Sequence, residues 1–567
     1  MTPLTLFFLL PVASAFCPIY GPAFPPPKNP GSSKAFPAAL EKLTTSIDEG
    51  RRDPNSELTE AHTVSVQLFS ASSNEPLYAL HREGTTLNTT AGVAKVDSDS
   101  IWRIASISKM ISVYLTLKEV GDGYWDTPVA EVLPELRGNA KWKDNQVDFV
   151  NWESVTLGTL ADHTSGIAKD VINIVGTNPL DDTSVADKLG LPPLATHDAP
   201  FCSIFLEYNC TRAEFFEALD ARQPVTASST TPLYSNTPFV VLGYALESIT
   251  GKPLSEILQS FVDELELEVT TPVLPDFKKA VIPYSPELSG FIAQTGEAWP
   301  LGGLFSTFND LTKIGRSILN SKFISPSTTR AWLKPTSFTS DIRLLIGRPW
   351  EIYRIDTKST RGVVDVIGKS GGSGPYSTFL GLLPDYDFGF VVGVAGSEPG
   401  SDNWVNDKIT DAIIPALEDA AREEAHELYA GTYTANTNGT NSTIVLTTEA
   451  GKPGMSVTKF TSRGVDVLKA MELLYGEEAT TDVLRLIPTN LEQGLGNSTT
   501  EIGWKLIKSA ATPNEKPSAW DACGSWFNVD RPVYGQQSFD SIVFTLDSNG
   551  RAIKIRPRAY DMDYQRV

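Results

Sequence analysis

The sequence predicts an α+β domain, an antiparallel sheet flanked by helices, followed by a separate all-β domain. Three observations carry this reading. The runs "VVDVIGK", "YSTFLGLLP" and "FGFVVGVAG" are apolar, strand-length and separated by turn residues, so they predict an antiparallel meander. "SISKMISVYLTLKEVGDG" sets Ile107, Met110, Ile111, Tyr114, Leu115 and Leu117 at helical spacing and stops at Gly121, which predicts a buried helix starting near Ser106. After Gly431 the chain turns to short alternating segments such as "DVLRLIPT" and "DSIVFTLDSNGRAIKIRP", the pattern of a β barrel or sandwich.

The chain of 567 residues exceeds one ordinary core, and two domains are expected. Residues 1–15 read as a secretory signal, with the apolar run Leu4 to Leu10 and a small-residue site at Ala13-Ser14-Ala15 before Phe16. The run is too short to span a bilayer and no later stretch reaches about 18 apolar residues, so no membrane insertion is expected once the signal is removed. Residues 16–34 form a proline-rich lead, and "AFPAALEKLTTSIDEG" predicts a first helix. "TVSVQLFSAS" and "PLYALHREG" read as a hairpin. Residues from about 168 to 230 are irregular and rich in Pro, Asp and Thr, which marks a large insertion within a first domain covering 35–427. Beyond it "TPFVVLGYALESITG" predicts a helix, and "NDKITDAIIPALEDAAREEAHELYAG" a long helix that closes that domain. The β domain takes 428–567.

The formal charge of -21 repels phosphate backbones and argues against nucleic acid as a partner. Five N-x-[ST] sequons, at Asn88, Asn209, Asn438, Asn441 and Asn497, agree with export and a glycoprotein. Cys17, Cys202, Cys210 and Cys523 allow three pairings, and free thiols are the bland alternative. The short loop favours Cys202 with Cys210, which leaves Cys17 with Cys523 as a tie between the chain ends. Five scattered histidines give no metal constellation, and no cofactor is called for.

The stretch "VIGKSGGSGPYSTFLG" carries three catalytic signatures at once. A phosphate loop needs four residues between its glycine and the Gly368-Lys369-Ser370 triplet and a helix after it, but Gly362 stands five residues away and a strand follows. A nucleophile elbow on Ser370 also needs a following helix, and a later acid and histidine. The only histidine downstream is His426, within an acidic helix. The third signature, Lys369-Ser370-Gly371 as a K-x-G strand, demands an S-x-x-K helix and a Y-x-N element elsewhere.

Both are present. Ser106-Ile107-Ser108-Lys109 stands at a helix start, where one turn places both side chains on one face and leaves the Ser106 amide free. A second copy, Ser456 to Lys459, lies in an alternating segment that would put the two side chains on opposite faces. Tyr234-Ser235-Asn236 is the one Tyr-x-Asn among seventeen tyrosines.

With these motifs in this order, the sequence resembles the serine β-lactamase and penicillin-binding superfamily, in its class C-like branch of D-aminopeptidases, esterases and acyltransferases. "WRIASISKM", "DTPVAEVLPEL", "LADHTSGI" and "GGLFSTFNDLTKIG" resemble segments of that branch, over roughly residues 36 to 427. The resemblance implies a β-lactamase/transpeptidase-like domain with an added all-helical cluster, and a lipocalin-like C-terminal appendage. It implies Ser106 as nucleophile, Lys109 or Tyr234 as its base, and the amides of Ser106 and Gly372 as oxyanion donors beside Gly371. Lys369 would supply charge near Tyr234 and orient a substrate carboxylate, Asn236 would bond substrate or Lys109, and Ser370 would be a wall residue. His163 belongs to a structural turn, "GGLFST" to packing beside the site, and Trp299 and Tyr376 either line the pocket or are simply buried.

The expected function is a secreted serine hydrolase acting through an acyl-serine on an ester, amide or lactam, its partner a small or peptide-like acyl substrate. Acyl transfer in a natural-product pathway is the second enzyme reading, and an acylated sensor without turnover is the third. Sequons and signal together point to an extracellular eukaryotic protein of fungal type.

Overall fold

The computed structural model describes residues 21–171, 183–192, 210–357, 362–398, 400–437, 439–475, 484–496, 498–508 and 529–567. Two compact units emerge, one of residues 40–355 and 365–410, the other of 1–39, 356–364 and 411–567.

In the first unit, helix α1 (Ala35–Arg52) precedes the hairpin β1 (Thr63–Ser70) and β2 (Tyr78–Arg82), as the alternation predicts. Helix α2 (Ile107–Val120) follows, then α3 (Thr237–Thr250) and α4 (Phe308–Leu319). The meander comprises β3 (Ser337–Phe338), β4 (Leu344–Ile346), β5 (Glu351–Asp356), β6 (Val363–Ser373), β7 (Tyr376–Leu383) and β8 (Phe388–Ala395). These form one eight-stranded sheet in the order β2-β1-β8-β7-β6-β5-β4-β3. Every residue of β1, β7 and β8 is buried. That is why β7 and β8 read as apolar runs, both faces being covered, whereas β1 alternates and buries its polar Ser65 and Gln67 as well.

Helix α2 is buried from Ile107 through Leu117, serines and threonine included. Its hydroxyls are satisfied within the helix: Ser108 Oγ donates to Ala105 O (2.6 Å), Ser112 Oγ to Ser108 O (2.9 Å) and Thr116 Oγ1 to Ser112 O (2.9 Å). Polar residues thereby enter a core without leaving donors unpaired. The helix packs against α3 and the short 3-10 helix Gly296–Leu301, which gives the expected helical cluster.

One departure from the sequence reading stands out. The insertion is not wholly irregular, for helices form at Thr183–Lys188 and Arg212–Asp220. The second is announced by a capping box, Thr211 with Glu214, a signal legible in the sequence. As the sequence reading expects, Gly368-Lys369-Ser370 lies in a strand, β6, and another strand, β7, follows, so the structural context of a phosphate loop or nucleophile elbow is absent there.

In the second unit the strands are β9 (Gly431–Thr437), β10 (Thr440–Thr447), β11 (Met455–Ser462), β12 (Leu484–Gly496), β13 (Thr499–Lys508), β14 (Ser541–Leu546), β15 (Ala552–Pro557) and β16 (Tyr564–Arg566). Each pairs antiparallel with its successor, and β16 pairs back to β9. Among the described residues these eight strands close into an up-and-down barrel, and the two-residue strand Val465–Asp466, paired onto β11, is a ninth member of the sheet. Its interior is filled by Tyr433, Met455, Leu486, Trp504, Phe544 and Tyr564, none more than 1% exposed. Helix α5 (Asp402–Tyr429) spans the division between the units.

Candidate active site

The site belongs to the first unit and is assembled from α2, the start of α3, β6 and the segments before them. Ser106 is the N-cap of α2, yet its hydroxyl makes no capping bond. Serine at this position ordinarily bonds an orphan N–H of the first turn. Here Oγ is turned outward instead, hydrogen-bonded to Tyr234 OH at 2.5 Å and accepting from Lys109 Nζ at 3.0 Å. The preceding Ala105 holds φ at +44°, a left-handed conformation costly for any residue with a Cβ. That kink aims Ser106 away from the helix axis.

Lys109 is fully buried, and Nζ also donates to Asn236 Oδ1 (2.8 Å) and to Leu301 O. Asn236 has no freedom to flip, because its Nδ2 donates to Asp170 Oδ1 at 2.8 Å. Of the two partners proposed for Asn236, the structure shows Lys109. Burial lowers the Lys109 pKa below 10.5, the Tyr234 phenol opposes this, and Lys369 adds to it by repulsion.

Tyr234 is 41% exposed as a residue, while its hydroxyl bonds Ser106 and its ring faces the ammonium groups of Lys109 and Lys369. Enclosure of the phenol raises its pKa, but the charges of Lys109 and Lys369 and the bonds from Lys109 and Ser106 outweigh that, and the net displacement is below 10. The two ammonium nitrogens stand 5.0 and 5.2 Å from the ring centre.

His163 makes no bond to Ser106. It takes a left-handed φ of +63°, accepts from Ser235 N through Nδ1 (3.1 Å) and stacks on the Tyr234 ring at 4.7 Å. Its Nε2 is buried without a partner, and burial first, then Lys369 and Lys109, push its pKa well below 6.5. The turn reading is correct and acquires a content: a neutral imidazole supports the Tyr234-Ser235-Asn236 element from behind.

Lys369 departs from expectation. It is 0% exposed, ion-paired with Glu351 of β5, and donates to Ser370 O at 2.9 Å. A substrate carboxylate cannot reach an ammonium so enclosed, so that role is withdrawn. Glu351 is the group the sequence reading missed. Its other oxygen accepts from Ser370 N at 2.9 Å, and nothing in "RPWEIYRID" distinguishes this acid from the other strand carboxylates. Ser370 is half-buried, and its main-chain N–H is held by Glu351.

Gly371 is buried where β6 crosses in front of α2. A Cβ there would stand 2.2 Å from Ile104 O and 2.6 Å from Thr378 Oγ1, so only glycine allows this approach. It brings the exposed Gly372 alongside the segment leading into Ser106. The Ser106 N–H has no acceptor among the described residues. Gly302 lies 3.7 Å, by its would-be Cβ, from Ser106 N, and Gly303 has no room for one against Thr295 and Trp299, in keeping with packing beside the site. Trp299 and Tyr376 are buried at 3% and 0%, the latter donating to Val281 O.

The other predicted residues lie apart. A bulge at Thr458 puts Ser456 and Lys459 on the same outer face of β11, against the expected opposite faces, but Ser456 is bonded to Glu449 and Arg485 and not to Lys459. Asn88 is half-buried. Its Nδ2 donates to Tyr284 O (2.6 Å) and its Oδ1 accepts from two loop amides. Asn441 is exposed on β10. Asn209, Asn438 and Asn497 lie outside the described residues, as do Cys17, Cys202 and Cys523, and with them both proposed pairings. Among the described residues no cluster of three His, Cys, Asp or Glu side chains could hold a metal, and no helix is long and apolar enough to cross a membrane.

An antiparallel sheet with a helical cluster, and Ser-x-x-Lys, Tyr-x-Asn and Lys-x-Gly meeting on it, define the class: the serine β-lactamase and penicillin-binding superfamily. The chain belongs to the β-lactamase family, whose model, described as Beta-lactamase, matches residues 64–412. A second model, "Beta-lactamase-like-like, C-terminal domain", matches 421–567. The chain is 30% identical to a "Beta-lactamase-like protein" of Arthroderma benhamiae over 97% of each. It is 24% identical to "Probable hydrolase M10" of a Phoma species, over 96% of this chain and 90% of that one. A D-stereospecific amidohydrolase from Streptomyces sp. superposes with a TM-score of 0.46 at 19% identity, over 66% of this chain and 98% of that one. The protein is a hydrolase of β-lactamase type.

Proposed function

We propose that the protein is a secreted serine hydrolase that cleaves an ester, amide or lactam through an acyl-Ser106 intermediate. The carrying observation is Ser106 Oγ held between Tyr234 OH at 2.5 Å and Lys109 Nζ at 3.0 Å. A serine hydroxyl is a weak nucleophile until a neighbouring base takes its proton. Two ammonium groups face Tyr234 and favour its phenolate, so Tyr234 accepts the Ser106 proton while Lys109 keeps its own.

Ser106 Oγ then bonds the substrate carbonyl carbon. The carbonyl oxygen becomes an oxyanion and accepts from the N–H groups of Ser106 and Gly372, each worth about 2.7 to 4 kcal/mol in comparable sites. Tyr234 returns the proton to the leaving group as the carbon–heteroatom bond breaks. A water, deprotonated by the same phenolate, releases the acyl group and restores Ser106.

Intact-mass analysis after exposure to a fluorophosphonate tests this. A single adduct on the wild type and none on Ser106→Ala is expected, and an adduct that survives the substitution defeats the proposal. The same spectrum of secreted protein should start at Phe16 if residues 1–15 are a signal.

Gly371→Ala is expected to lower kcat/KM about 100-fold with the fold retained. Its Cβ would push β6 off Ile104 O by roughly 1 Å, enough to misplace the Gly372 amide. Steady-state kinetics on a p-nitrophenyl ester, with circular dichroism as control, measures it. A loss under threefold would remove Gly372 from the oxyanion site.

A further inference from the structure

We propose that Glu351 is a positioning residue of this site: its two carboxylate oxygens hold Lys369 Nζ and the Ser370 amide together, fixing the cation that faces Tyr234 and the strand that carries Gly372. The inference rests on the acyl-serine reading above. Glu351 and Lys369 lie on neighbouring strands, β5 and β6, and the pair is enclosed, at 15% and 0% exposure. One oxygen takes the ammonium and the other the main-chain N–H of the next residue. A single carboxylate thus couples the charge of the site to the register of its oxyanion strand.

Physical chemistry gives this pairing a consequence. An ammonium removed from water loses its proton readily unless an anion faces it. Burial pulls the Lys369 proton off, and Glu351, with the Tyr234 phenol and Asp402, more than reverses that, so Lys369 is held above 10.5. The other groups around it are His163, which is neutral, and Lys109, whose charge opposes that of Lys369. Tyr353 of β5 faces Glu351 and Asp402 and stays protonated, its pKa driven up by its own burial. Of these groups Glu351 alone is an anion in direct contact with the ammonium. It therefore keeps Lys369 positive, and through Lys369 it keeps the phenolate of Tyr234 accessible.

The test compares Glu351→Gln and Glu351→Asp with the wild type across pH, using a p-nitrophenyl ester and fluorophosphonate labelling. Glu351→Gln keeps shape and an acceptor but loses charge. At neutral pH kcat/KM should fall about 10- to 100-fold, as expected for a lost charge-assisted bond. The falling alkaline limb should move down by roughly one pH unit or more as Lys369 loses its proton early. Glu351→Asp keeps the charge but shortens the reach, so it should lose rate yet retain the wild-type limb. That contrast separates charge from packing, and if the Gln variant folds poorly the Asp variant still decides, because a folded Glu351→Asp with wild-type kcat/KM overturns the inference. A folded Glu351→Gln whose pH profile overlays the wild type overturns the inference. Absence of Ser106 labelling in the wild type itself would instead overturn the acyl-serine reading.

Discussion

Ser106→Ala is expected to lower kcat/KM by about 10⁴- to 10⁶-fold, the range seen when a covalent nucleophile is removed. The fold should be untouched. Ser106 supplies no cap to α2, and its hydroxyl is half-buried in a site already lined by other donors, so the stability change should stay within about 1 kcal/mol. Parallel measurements of hydrolysis and thermal melting check both halves. Retention of more than about a hundredth of the activity, in a variant melting like the wild type, would show that another group attacks the substrate.

Tyr234→Phe is expected to cost about 10³-fold in kcat/KM, within the range for a general base. The substitution removes the oxygen 2.5 Å from Ser106 and keeps the ring that stacks on His163. The sign of the pH dependence follows from the site. Tyr234 has a pKa below 10, and its reactive form is the phenolate, so wild-type kcat/KM should rise as pH climbs through that lowered value. Tyr234→Phe should lose this rise. If the rise persists and the loss is under tenfold, the proton goes to Lys109, whose pKa is also lowered and whose other two partners, Asn236 Oδ1 and Leu301 O, can only accept.

Intact-mass analysis of the wild type with an acyl ester discriminates among hydrolase, acyltransferase and sensor. An acyl adduct that forms but does not turn over would indicate a sensor. Faster release on adding an alcohol or amine would indicate acyl transfer. Nothing in the motif residues chooses between water and another acceptor, because that choice depends on what reaches the acyl-serine from the cleft.

Much of the site was legible because its chemistry is written in short local patterns. A serine and a lysine three residues apart at a helix start share a face by helix geometry alone. In the second copy a bulge, which alternation does not foresee, brings Ser456 and Lys459 to one face, and it is the pairing of Ser456 with Glu449 and Arg485 that sets that copy aside. The meander was legible because strands covered on both faces are largely apolar, as β7 and β8 are, Ser377 and Thr378 of β7 being buried polar exceptions held by hydrogen bonds. The helix Arg212–Asp220 was passed over within a composition that looked irregular, although its capping box was in view.

What the sequence by itself determined is thus the set of reactive groups, the elements that carry them, and the family to which they belong. Tertiary structure alone decided how those groups are partnered. Glu351 is eighteen positions from Lys369, and only strand pairing makes it the counter-ion that closes Lys369 off from substrate. Asp170, which fixes the Asn236 amide, and His163, which props Tyr234, are likewise set by packing. The physical reason is one of range. Helix and strand periodicities relate residues a few positions apart, whereas a buried charge takes its properties from whatever the fold places within about 4 Å of it.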